Sequence, residues 1–328
     1  VALAAGVSPT TVSHALNGLG RLSEQTRSHV LDVAAQLGYR ANPSARNMRA
    51  SSTGLVAVIN QLSEGTSWGA TDLEYVMRLN QAVCAGAWAQ GSFPTLLPPR
   101  ADAGTLDRMP LDSAILVDPV GGDPTLRALD ELRIPAVTVG RDDQGAPGRG
   151  WWADNDIRVS TTGALDHLAR GGAERILMIS ADTGQSYLTD AAEAYLGWCE
   201  ARGLRSRLAP IGSPFSAVEC FDLVTRACAG RRPVDGLYLA AEALVQPALD
   251  ALAAAGRSVP GQVQVVVASD SLVARSARPA LTALDLRPEA IGAAAVGLLA
   301  QRMVGPVPPG TVVVPSELVV RGSTLAAR

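Results

Sequence analysis

From residue 55 onward the chain keeps repeating one pattern: a short apolar run, a turn, then a stretch of helix length. Runs of Val, Ile and Leu without polar alternation suit strands buried on both faces, as in a parallel sheet covered by helices on either side. The spacing predicts strands near Leu55–Ile59, Ala114–Val117, Ala136–Val139, Arg175–Ile179, Gly236–Leu239 and Val263–Val267. It predicts helices between them near Asp72–Gln90, Pro124–Leu132, Ser160–Ala169, Ala191–Arg202, Ala217–Ala229 and Ala243–Ala255. Pro288–Val304 reads as one more helix, and Thr311–Val314 and Glu317–Val320 as closing strands. Such alternation is too long for one sheet, so the expected body is α/β with two doubly wound parallel-sheet lobes.

The first fifty residues differ in kind. They are helical in pattern and carry Arg21, Arg27, Arg40, Arg46 and Arg49 against only Glu24 and Asp32. A first helix stops at Gly6, where positive φ is cheap. Ser8 is placed as an N-cap before Pro9, which opens a second helix running to Asn17. A third starts at Ser23 and ends at Gly38. Leu3, Val7, Val12 and Leu16 are expected to share a small core with Val30, Leu31, Ala34 and Leu37, while Thr10, Thr11, Ser13, His14 and Asn17 face away. Helix, Gly-containing turn, polar-faced helix and supporting helix make a helix-turn-helix arrangement, whose short hydroxyl side chains suit phosphates and base edges. A plain three-helix unit with a solvated polar face is the alternative for this pattern alone.

The next segment points to DNA. Asn42-Pro43 opens a turn or two of helix containing Arg46, Met48 and Arg49, too short to stand alone. An apolar side chain among arginines has the composition of a wedge between base steps in the minor groove; a solvated linker is the alternative for the segment in isolation. Ser51-Ser52-Thr53-Gly54 then marks a boundary.

Composition limits the remaining classes. The chain of 328 residues is 47% apolar and 18% charged, enough for buried cores and without a disorder signature. A net charge of −3 excludes a uniformly basic nucleic-acid coat but allows a small basic module on an acidic body. All 28 basic residues are Arg, a coding bias that carries no function. Cys84, Cys199, Cys220 and Cys228 lack C-x-x-C spacing and the three His are scattered, so no metal or other cofactor is expected. With no leader pattern and no apolar stretch of spanning length, a soluble cytoplasmic protein without membrane contact is expected. The chain opens inside a helix, so a few preceding residues are expected upstream.

Ligands of open parallel sheets gather beyond the carboxyl ends of the strands. Reading the residues that follow each strand gives Asn60, Gln61 and Trp68, then Asp118, Arg141 with Asp142, Ser180, Glu242, and Ser269 with Asp270. Carboxylates and amides for hydroxyls, with an aromatic face, suit a carbohydrate-like ligand. No G-x-S-x-G elbow, phosphate-loop glycine pattern or H-E-x-x-H is present, and no His stands beside a nucleophile. Two other classes remain open at this point, a carbohydrate-binding transport component and a cytosolic carbohydrate-processing enzyme. Neither accounts for the basic head.

Ala4-Ala5-Gly6-Val7-Ser8-Pro9-Thr10-Thr11-Val12-Ser13-His14-Ala15-Leu16-Asn17-Gly18, Thr26-Arg27 through Leu37-Gly38-Tyr39, and Asn42-Pro43 through Met48-Arg49 resemble the LacI/GalR bacterial transcriptional regulators. Val259-Pro260, Asp270, Pro279-Ala280-Leu281-Thr282 and Ser316–Thr324 extend the likeness. The resemblance implies a homodimer whose heads read a pseudo-palindromic double-stranded DNA operator. It also implies a periplasmic-binding-protein-like body that senses a small, sugar-like effector, and repression as the usual output. Pro9, Thr10 and His14 match base-reading positions, Ser8, Thr11, Ser13 and Asn17 match phosphate contacts, and Met48 matches the minor-groove residue. The chain departs from the family at Ala194, where an Arg is common, at Ala241-Glu242, where Asn-Asp is usual, and at His14, where Arg is common. On this reading residues 1–41 form the head, 42–53 the hinge helix and linker, and 54–328 the effector-binding and dimerisation domain. Its lobes are expected at about 54–154 with 284–308, and about 155–281 with 311–328.

Overall fold

The computed structural model describes residues 1–17, 20–39, 52–61, 73–144, 150–181, 183–212, 216–305 and 308–326. The chain divides into two units, 1–54 and 55–328.

In the first unit, helices α1 (Ala2–Ala5), α2 (Pro9–Asn17) and α3 (Glu24–Gln36) follow one another closely. Gly6 takes φ 64°, the left-handed turn that ends α1 and that a side chain would strain. The Ser8 hydroxyl accepts from the Thr11 backbone N–H at 3.1 Å, and Ser23 caps α3 in the same way through Thr26 at 3.2 Å. Ala5, Val12, Ala15 and Val30 form the buried centre, with Val1, Ala2, Val7, Leu16, Leu22 and Val33 packed around it. Three expected core residues are not there: Leu3 is 100% exposed, Leu31 42% and Leu37 55%. In a one-turn helix, Val1, Ala2 and Ala5 share the inner side at spacings of three and four, which turns Leu3 outward. The expectation of a buried Leu at each apolar period overlooked how well small alanines fill so thin a core.

The second unit contains two six-stranded sheets. The first comprises β1 (Leu55–Asn60), β2 (Phe93–Leu97), β3 (Ser113–Val117), β4 (Ala136–Val139), β5 (Trp152–Asp154) and β11 (Thr311–Val313), in the order β11-β5-β4-β3-β1-β2. The second comprises β6 (Ile176–Ala181), β7 (Leu208–Ile211), β8 (Gly236–Leu239), β9 (Gln264–Val267), β10 (Thr282–Asp285) and β12 (Glu317–Val319), in the order β12-β10-β9-β8-β6-β7. Every described strand pair is parallel except β10 with β12.

Helices cover both faces of each sheet. In the first lobe, α4 (Leu73–Ala89) and α12 (Pro288–Val304) pack on Val56, Val58, Ile115 and Val117. On the reverse face, α5 (Ala103–Asp107) and α6 (Pro124–Glu131) pack on Ala57, Ile59, Ala114 and Leu116. The alternation explains why β1 and β3 are apolar at successive positions. In the second lobe, α7 (Ile157–Arg170) and α8 (Ser186–Ala201) cover one face. The other is covered by α9 (Ala217–Cys228), α10 (Val245–Ala254) and α11 (Leu272–Ser276).

Four strands escaped the sequence reading: β2, β5, β7 and β10. β2 and β7 are edge strands containing Pro94 and Pro210, a residue that edges tolerate and interiors do not. The lobe boundaries also need correction. Thr311–Val313, assigned from sequence to the second lobe, pairs with Trp152–Asp154 in the first sheet, and Thr282–Asp285 belongs wholly to the second. A strand that ends one lobe and is followed three residues later by a strand of the other gives no compositional break to read.

The chain passes between lobes at β5–α7, β10–α12 and β11–β12. Asn155, in the first crossing, donates its side-chain amide to the Leu286 carbonyl at 3.1 Å and the Val314 carbonyl at 2.7 Å, tying all three crossings together. The Val314 N–H donates to the Asp154 carbonyl at 2.8 Å, and the hydroxyls of Ser160 and Ser316 meet at 2.6 Å.

Candidate nucleic-acid interface and ligand cleft

On the head, Ser8, Pro9 and Thr10 are exposed at the start of α2, and Thr11, Ser13 and His14 are half-buried along it. Thr11 is oriented by Ser8, the two hydroxyls standing 2.9 Å apart. Gly20, at φ 72°, lies under the His14 ring, where an added Cβ would come within 2.6 Å of Nδ1. That close approach supports the ring from behind. From α3, Arg27 Nη1 donates to the Ala15 carbonyl at 3.5 Å, bracing the end of α2. Asn17 closes α2, but its side chain, like all of Asn42, Arg46, Met48 and Arg49, lies outside the described residues.

In the body, a cleft of about 1070 Å³, counted out to its open mouth, lies between the lobes. The first lobe contributes Gln61 after β1, Tyr75 and Val76 from α4, and Asp118 after β3; Asp154 and Asn155 come from the first crossing. The second contributes Gln185 and Tyr187 at the start of α8, Tyr238, Glu242 after β8, and Ser269 after β9. Asp118 holds φ 53°, an unusual backbone for a non-glycine residue and one that turns the chain at the strand end.

Of the expected lining residues, the structure brings Asp118 and Glu242 to the cleft together with Gln61 and Ser269. Asn60, Arg141, Ser180 and Asp270 are not among its described lining residues, and Trp68 lies outside the described residues. Asn60 and Ser180 are buried at their strand ends. Asp270 is committed elsewhere: its Oδ2 accepts from Arg321 at 2.8 Å, and its backbone carbonyl accepts from Arg275 at 3.1 Å. Arg141 reaches across to the second lobe, where its guanidinium pairs with Asp190 and its backbone N–H donates to the Ser186 hydroxyl at 3.1 Å. Reading the residue after each strand found the end of each sheet that borders the cleft. It could not tell a side chain turned into the cleft from one claimed by a neighbouring charge.

Sequence reasoning missed Asp154, Tyr75, Tyr187, Gln185 and Tyr238. Asp154 closes a three-residue strand too short to recognise, and the two tyrosines on helices carry no local signal. Asp154 is 7% exposed and its Oδ2 is buried without a hydrogen-bond partner, while Oδ1 accepts from the Asn155 N–H at 2.7 Å. Burial pushes its carboxyl up to about 6, with Arg141 opposing the shift and Asp190 and Asp143 adding to it. Burial also raises the Tyr75 phenol, helped by Asp118, Asp154 and Tyr187, and lifts Tyr238 to about 12.

The lobes are bonded across the cleft on both flanks. Arg275 of α11 donates to Glu74 of α4 at 2.7 and 3.0 Å, and Glu74 also accepts from the Leu272 N–H at 2.7 Å. On the other flank, Arg141 and Arg158 share the buried Asp190. Between them the Gly121 N–H donates to the Gly184 carbonyl at 2.9 Å, and Gln185 Nε2 to the Gln61 carbonyl at 3.3 Å. The lobes are therefore closed on one another.

A helix-turn-helix head with its polar helix start exposed, joined in one chain to a two-lobed body around a cleft, defines the class of ligand-binding-fold transcription regulators. Residues 1–42 match the bacterial regulatory proteins of the lacI family, and residues 165–324 match the periplasmic binding protein-like domain. The regulator CelR of Thermobifida fusca is 27% identical over 98% of this chain and 96% of its own, and GalR of Streptococcus thermophilus 25% identical over 93% and 92%. Among solved structures, a transcriptional regulator CelR-cellobiose complex superposes with TM-score 0.74 at 25% identity over 98% of both chains. The lac repressor dimer bound to operator and the anti-inducer ONPF does so with TM-score 0.84 at 19% identity, over 99% of this chain and 98% of that one, a likeness of fold. The chain thus joins a lacI-family DNA-binding head to a periplasmic binding protein-like domain and is similar over nearly its whole length to HTH-type transcriptional regulators.

Proposed function

We propose that this chain is a homodimeric repressor whose affinity for a pseudo-palindromic operator is set by a small, sugar-like molecule held in the cleft. It acts by binding and not by turnover. The observation that carries the reading is the joining, in one polypeptide, of an α2 whose first residues are exposed and polar to a body whose lobes close over a lined cavity. The full-length likeness to a regulator solved as a cellobiose complex supports a carbohydrate-related effector.

In this reading Pro9, Thr10 and His14 face base edges, Ser8, Thr11, Ser13 and Asn17 face phosphates, and Asn42, Arg46, Met48 and Arg49 form a hinge that Met48 drives into the minor groove. The two heads enter major grooves about 34 Å apart. A ligand acts only through its different affinity for the closed and open lobes. The ion pairs Glu74–Arg275 and Arg141–Asp190 set that balance, and the change in lobe angle alters the spacing of the two hinges.

Binding selection from randomised duplexes tests the head directly. His14→Ala is expected to change the preferred bases, whereas Thr11→Ala weakens all sequences alike and lowers the salt dependence. An unchanged preferred sequence for His14→Ala removes that residue from the readers.

A further inference from the structure

We propose that the cleft selects a positively charged effector, a polyhydroxylated small molecule bearing a protonated amine, over neutral and phosphorylated sugars. The inference rests on the cleft being the effector site and adds to it the ligand's charge. Three carboxylates, Asp118, Asp154 and Glu242, line the cleft together with the rings of Tyr75, Tyr187 and Tyr238. The chain contains no Lys, and no Arg or His is among the described lining residues. An anionic ligand would meet like charge from these carboxylates, at a cost that a partly enclosed, low-dielectric site magnifies. The start of α8 offers a partial positive charge, small beside three carboxylates.

The amide side chains of the lining are already engaged. Gln61 Nε2 donates to both Asp123 oxygens at 3.1 Å and to Thr125 at 3.0 Å, and its Oε1 accepts from the Arg100 N–H at 2.9 Å. Gln185 and Asn155 spend their amides on the Gln61 carbonyl and on the lobe crossings. The buried Oδ2 of Asp154, by contrast, has no hydrogen-bond partner and belongs to a residue that lines the cavity. A buried carboxylate oxygen in that condition is costly unless a donor arrives. An ammonium supplies that donor and the charge together, and aromatic faces attract it further. No cluster of three or more metal-ligating residues occurs among the described residues, so the geometry favours a spread organic cation over a metal ion.

The test uses the full chain and calorimetric titration with matched panels: glucose, galactose and mannose, their 2-amino-2-deoxy analogues, and their 6-phosphates. At least one amino sugar is expected to bind tenfold or more tightly than its neutral and phosphorylated counterparts. Asp154→Asn and Glu242→Gln should each weaken that amine tenfold or more, and weaken it more than they weaken the neutral sugar. Amine affinity should also rise from pH 5 to 7 as Asp154 ionises, with Asp118, Glu242, Tyr75, Tyr187, Tyr238, Arg141, Asp143 and Asp190 as the surrounding charged or titratable groups. Equal or tighter binding of a neutral or phosphorylated sugar, no binding by any amine, or an amine indifferent to both substitutions overturns the proposal. A neutral sugar that binds at least as tightly as its amine and changes DNA affinity leaves the regulator reading intact and ends this one. An amine that binds the cleft without changing DNA affinity does the reverse.

Discussion

Asp154 carries a cost that its position explains. In an unfolded chain such a carboxyl titrates near 3.8, whereas the folded protein holds its proton up to about 6. Between those values the folded state binds more protons than the unfolded one, so this residue's contribution to stability falls as pH rises through the window and is level above it. Ionising so deeply buried a carboxyl costs the folded state about 3 kcal/mol at neutral pH. Asp154→Asn keeps the oxygen that accepts from Asn155 and removes the charge. It is expected to raise the melting temperature by several degrees at pH 7.5 and to change it little at pH 4. An equal rise at both pH values contradicts the burial of a charge. Such a residue was invisible in the sequence, because one Asp at the end of Trp152-Ala153-Asp154 has no periodicity to mark it.

At the scale of elements, the two ion-paired flanks decide how firmly the lobes close. Glu74 and Arg275 are about one-third exposed, so solvent weakens their pair, and its loss is worth about 1 kcal/mol or less. That still shifts an open–closed ratio severalfold. Glu74→Gln is therefore expected to enlarge the radius of gyration measured by small-angle scattering and to lower the affinity of any cleft ligand, with Asp270–Arg321 left in place. Identical scattering and affinity show that the α4–α11 contact does not hold the lobes. Elements that close on both faces, such as β1, β3 and β8, were legible because their inner positions run apolar without polar alternation. β2 and β7 were not, because an edge strand needs only one buried face and tolerates its proline. The Asn155 knot across the crossings joins residues far apart in sequence, and no local pattern announces it.

For the whole molecule, α4 and β2 leave Met77, Trp88, Phe93 and Leu96 exposed, with the Trp88 and Phe93 rings edge to face at 5.7 Å. Exposed apolar patches mark partner surfaces, and this one is where we place the second copy. Trp88→Glu is expected to convert the dimer to a monomer in analytical ultracentrifugation and to weaken operator binding at least tenfold while the melting curve stays cooperative; an unchanged dimer moves the interface elsewhere. The division into a helical head and an α/β body, and the ends of the sheets that border the cleft, were legible in the sequence, since both follow from periodicity and strand direction. Which side chains enter the cleft depended on long-range pairing, as Asp270 and Arg141 show. The most direct test of a paired DNA reader governed by a body is selection of genomic duplexes by the intact protein across a salt series. Enrichment of inverted repeats whose half-sites lie one helical turn apart, lost as salt rises, is expected; no sequence preference at any salt concentration contradicts it.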